Sequence, residues 1–163
     1  MSGSPSPAAS LAQPAAINAR LGELCTYLNR KSRRYTASLR VFRVAGGAAL
    51  APADLVRRAF GASATVMSTE VIEIGAALDA IEAVLGWGGE PGAFPNPRVL
   101  TDPAWQALVD GVLGDLGELM ASAPAIHALV LGDGHPFHPV WWDLTLAFAL
   151  DDDGFVLVGA ASD

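Results

Sequence analysis

The stretch "VWWDLTLAFALDDDGFVLVGA", residues 140–160, decides the fold class. Val140, Trp142, Leu144, Leu146, Phe148 and Leu150 all share one parity. A period of two is the mark of a strand that lays one face on a core. "DDDG", 151–154, is a turn, because Asp and Gly tolerate the dihedrals a tight turn demands. "FVLVGA", 155–160, returns as the next strand, and the shorter "IHALVL", 126–131, comes before both. The C-terminal part therefore predicts a three-stranded antiparallel meander.

Upstream of the meander the period changes to that of helices. Ile17, Leu21, Leu24 and Leu28 make an apolar stripe, with Cys25 at its edge, and predict a helix over 15–31. Arg30 and Lys31 would sit in its last turn, where cations suit the helix dipole. "RYTASLRVFRV" switches to period two, with Tyr35, Ala37, Leu39 and Val41 facing inward. A short helix follows at about 53–60, closed by Gly61. Residues 62–74 suit either strand or helix; β-branched residues argue for the first. The spacing of Val71, Ile74, Leu78, Ile81 and Leu85 predicts a helix over about 69–85. "GWGGEPGAFPNP", 86–97, is a loop. Asp102 and Pro103 open a long helix with a broad apolar face from Trp105 to Met120. The expected class is α+β: an N-terminal helix and strand, central helices, and a single sheet packed against them. Residues 1–13 read as a disordered tail and 14–163 as one domain.

Composition narrows the function classes. Charged residues are only 17 %, and no apolar run reaches the length of a membrane-spanning helix. No membrane partner is expected, and a lone cysteine with no leader-like N-terminus suggests the cytoplasm. The net charge of −7 is unevenly spread: residues 1–60 hold nine of the ten Lys and Arg and two acids. The remainder is strongly acidic. The segment from Arg30 to Arg43, with Arg33, Arg34 and Arg40, is basic and interleaved with Tyr35 and Phe42. That pattern can bind single-stranded nucleic acid. The acidic whole repels phosphate, so pairing between basic and acidic halves is the expected use of these arginines.

"GDGHPFHPVWWD", 132–143, gathers two of three histidines and two of four tryptophans. His135 and His138, with Asp133, have spacing that could hold an ion, and Asp143 or His127 could complete the set. Prolines after both histidines pin an extended backbone that can splay the rings apart. No nucleophile elbow, phosphate loop or dinucleotide fingerprint is present, so no catalytic residue and no cofactor is assigned. Strand parity sets Trp142 into the core and Trp141 with Asp143 on the opposite face. Trp141, Asp143, His135, His138, Phe137 and Trp87 are the candidate binding residues, on the ground that tryptophans near loops are enriched at interfaces. The expected function is that of a non-catalytic protein-interaction module, a small acidic accessory protein of bacterial type such as an immunity protein, an inhibitor or a secretion chaperone. The alternative is a small enzyme or metal-dependent binder built on His127, His135, His138 and Asp143. Neither partner identity nor oligomeric state follows from the sequence.

Overall fold

The computed structural model describes the backbone of residues 7–163 and the side chains of 13–163. Helix α1, Pro7–Leu28, leads into strand β1, Thr36–Val44, and the short helix α2, Pro52–Phe60. Strand β2, Val66–Ile72, precedes helix α3, Ile74–Leu85, the single turn α4, Pro97–Leu100, and helix α5, Pro103–Met120. Strands β3, Ile126–Leu131, β4, Trp142–Leu150, and β5, Asp153–Ser162, complete the chain. The strands form one antiparallel sheet in the order β1-β5-β4-β3-β2.

The α+β class and the single sheet agree with the sequence. The sheet, however, has five strands: β1 and β2 flank the C-terminal meander at its two edges. The expected helix over 69–85 is split into β2 and α3. Val66, Val71 and Ile72 are β-branched, and they pair with β3 before the helical spacing starts at Ile74. The first helix also ends sooner than expected, at Leu28, so Arg30 and Lys31 lie beyond its last turn. The lead-in over 1–13 falls partly outside the described residues, and the backbone is already helical from Pro7.

The central strands of the sheet are covered on both faces, and two apolar clusters explain why. On one face α1, α3 and α5 pack over Leu39, Val41, Leu146, Phe148, Phe155 and Leu157. On the other, Leu55 and Val56 of α2 close over Val44, Ala147, Val156, Leu129 and Leu131. This second layer is why β5 is buried along nearly its whole length, unlike a strand with one wet face. Helix α5 starts as expected, with Asp102 accepting the Ala104 N–H and Pro103 following.

The two edges of the sheet are treated differently. Asn18 donates Nδ2–H to the Val41 carbonyl and accepts the Val41 N–H on Oδ1, both at 2.8 Å. Asn29 does the same for Ala37, at 2.9 and 2.7 Å. Between them Cys25 takes a bond from the Leu39 backbone, and burial pushes its thiol up to about 11. Ala37, Leu39 and Val41 are the alternate residues whose polar groups point away from β5, so α1 stands in for a sixth strand. At the far edge, β2 is exposed along most of its length.

Candidate functional site

The rim where β1, β4 and the 86–97 loop meet holds a three-ring stack. Tyr35 lies 5.5 Å from Trp87 at an interplanar angle of 18°. Trp87 lies 6.2 Å from Trp141 at 20°. Tyr35 is buried, whereas both tryptophans are half-exposed. The Trp141 indole donates to the Arg34 carbonyl at 3.1 Å, and the Trp142 indole donates to the Tyr35 hydroxyl at 3.1 Å. Burial pushes that hydroxyl up to about 12, so it stays protonated and can accept the indole N–H.

Parity predicted that Trp141 would share a face with Asp143, and the structure separates them. The Val140 and Trp141 N–H groups both donate to the Ala161 carbonyl, at 2.9 Å each. Two successive residues on one acceptor break the alternation just before β4 begins. Trp141 therefore packs with Trp142 and Trp87 against the helix-covered cluster. Asp143, opposite Ala160, faces the other side and is exposed.

Around the stack the 29–35 turn presents Arg30, Lys31, Arg33 and Arg34, all exposed. Its shape is held by the backbone. Arg33 exchanges two hydrogen bonds with Phe94, both at 2.9 Å, and the Ser32 hydroxyl donates to the Tyr35 carbonyl at 2.6 Å. Lys31 and Arg34 have φ of 51° and 44°, a region that costs a side-chain-bearing residue energy. Among the described residues the ion pairs are Arg20 with Asp115, Arg43 with Asp153, and Arg57 with Asp54. The expected contact between basic and acidic halves is thus made by Arg20 and Arg43. Arg33, Arg34 and Arg40 make no ion pair there, and Arg40 lies over the Phe42 ring instead. Arg30 lies 4.7 Å from the Tyr27 ring centroid.

The histidine loop lies on the other face. Gly132 and Asp133 are tied to Thr65 by backbone and hydroxyl bonds, and Gly134 sits where a Cβ would strike Ala64. His135 is buried rather than solvated, and its ring lies 6.2 Å from Phe137. His138 and Asp133 are exposed. His135 Nδ1 accepts the Phe137 N–H at 3.1 Å, which places the imidazole proton on Nε2, a buried atom with no partner among the described residues. Desolvation holds the His135 pKa below its ordinary value; Asp143 opposes this and His138 adds to it. Among the described residues no three His, Cys, Asp or Glu side chains converge as a metal needs. His127 pairs with Ala147, about 13 Å along β4 from Asp143, so the four-residue cluster does not assemble. It lines instead a cavity of about 130 Å³ with Leu50, Leu55, Pro124 and Phe148.

A pH prediction arises here. The unfolded chain binds a proton at His135 from pH 6.5 downward, while the folded chain resists it. Stability contributed by the neutral ring is full above that pH and is lost as pH falls toward the folded pKa. His135→Gln is expected to flatten this part of the stability profile, read by urea unfolding at a series of pH values. An unchanged slope would show that other groups govern it.

Comparison with known proteins finds no family model that matches the chain, no similar curated protein and no similar solved structure. Trp87 and Trp141 were legible as candidates. The basic turn joined to them was not, because the contact of Arg33 with Phe94 links residues far apart in the chain.

Proposed function

We propose that the protein is a non-catalytic protein-interaction module that takes an acidic, partly apolar segment of its partner on the Trp87–Trp141 rim. The observation that carries this reading is a stiff turn of four exposed cations beside two half-exposed, stacked tryptophans. Stacked indoles offer large apolar area at little entropic cost, and tryptophan and arginine dominate binding energy at interfaces. The pinned turn loses little freedom on binding, which leaves more of the contact energy for affinity. An inhibitor, immunity protein or secretion chaperone would use such a surface, and the overall charge of −7 limits it to partners that approach this rim.

The test uses tryptophan fluorescence and a set of extended peptides carrying Asp or Glu around an aliphatic or aromatic residue. Matched peptides with Asn and Gln serve as controls, along with a single-stranded oligonucleotide. Acidic peptides are expected to bind, and more weakly as salt rises. Arg33→Glu with Arg34→Glu should weaken binding roughly tenfold or more. Trp141→Ala should do likewise without unfolding the protein. Equal binding of neutral and acidic peptides, or binding of the oligonucleotide alone, overturns the reading.

A further inference from the structure

We propose that the open edge of β2 pairs with β2 of a second copy of the chain, antiparallel and centred on Thr69, to join two sheets into one. The starting point is the contrast between the edges. The β1 edge is covered by Asn18, Cys25 and Asn29. Among the described residues the β2 edge has no such cover, and the strand lacks proline and lysine, the residues that ordinarily blunt a free strand. Large apolar side chains are also left in water at this edge. Met67 is 74 % exposed and Val71 64 %, and Val130 of the adjoining strand is 50 % exposed. Met67 and Val71 lie on β2 itself, and Val130 lies opposite Ser68 on the adjoining strand.

The occupant follows from the pattern of the strand. A two-fold axis perpendicular to an antiparallel pair sets some residue opposite itself. Centring on Glu70 would face two carboxylates directly, which destabilises a pair. Centring on Thr69 sets Thr69 against Thr69, a favoured cross-strand pair. It also brings Met67 opposite Val71 of the second copy, twice, so the two exposed apolar residues cover each other. Glu70, the strand's one charge, then lies opposite Ser68 of the second copy, whose hydroxyl can donate to it. Ser68 and Glu70 lie opposite Val130 and Ala128 on one sheet face, so that bond forms on a common side. The register shift between Val66 and Ser68 ends the regular ladder at Met67, so the shared run is short and symmetric about its centre. This inference is independent of the rim, which lies at the end of the sheet where β4 starts.

Sedimentation velocity of the full chain, from roughly 1 to 300 µM, reads the association that a small interface supports. The wild type is expected to pass from monomer to dimer within that range. Met67→Glu and Val71→Lys change exposed side chains, and circular dichroism confirms that each variant stays folded. Each variant alone should remain monomeric. Mixed in equal amounts they should associate again, because Met67→Glu of one chain meets Val71→Lys of the other. A wild type that stays monomeric overturns the proposal. So does a dimer that survives both substitutions, or a mixture that fails to associate. Arg33→Glu with Arg34→Glu should leave the dimer intact, which keeps this result separate from any failure of peptide binding.

Discussion

Replacing Asn18 and Asn29 together by Ala should destabilise the protein by about 4 kcal/mol. Four hydrogen bonds to the β1 backbone disappear, each contributing about 1 kcal/mol, and alanine supplies no replacement. The substitutions also uncover the polar groups of Ala37 and Val41, so the double variant should self-associate through β1 as it loses stability. Asn29→Asp is the sharper control. It keeps an acceptor for the Ala37 N–H but sets an oxygen against the Ala37 carbonyl, so it should not rescue. Urea unfolding measures the loss and light scattering the association. A double variant within about 1 kcal/mol of wild type would mean that water covers this edge as well as the asparagines do.

Phe148→Ala should cost about 3–5 kcal/mol, the range for a large aromatic truncated in a packed core. Phe148 is 1 % exposed and stacks on Phe155 at 5.6 Å. Its place argues for the upper part of that range. Its ring lies on the face covered by α1, α3 and α5, packed with Leu146, Phe155 and Leu157, so truncation leaves a void walled by large buried side chains. Alternate residues of β4 lie on the two apolar layers, and neither layer is free to sink into the gap. Urea denaturation of the variant gives the value. A loss below about 1.5 kcal/mol would show that α3 or α5 collapses onto the site.

Strand parity and helical spacing are local properties, and they made most elements readable. The stripe of Ile17, Leu21, Leu24 and Leu28, the Asp102–Pro103 start of α5, and the alternation from Trp142 to Leu150 each lie within a few consecutive turns or pleats. The class α+β follows from them. Val66–Ile72 was harder, because an edge strand with one short partner is exposed and carries little alternation. Only pairing with β3 separates it from the helix that starts at Ile74.

Trp87 and Trp141 were identifiable from the sequence as candidates, whereas their stack was decided by the chain's path. The two N–H groups that share the Ala161 carbonyl turn Trp141 toward the helices, a rotation that strict alternation cannot express. His135 became buried for a similar reason: the loop is anchored at Thr65, well before it in sequence. Composition and periodicity by themselves determined the class, the long helices and the C-terminal meander, because each rests on hydrophobic burial along contiguous residues. Tertiary structure alone decided the five-strand order, the asparagine cover on β1 and the bare edge of β2. Those depend on which distant backbone groups find partners, and hydrogen bonds between remote segments leave no period in the sequence.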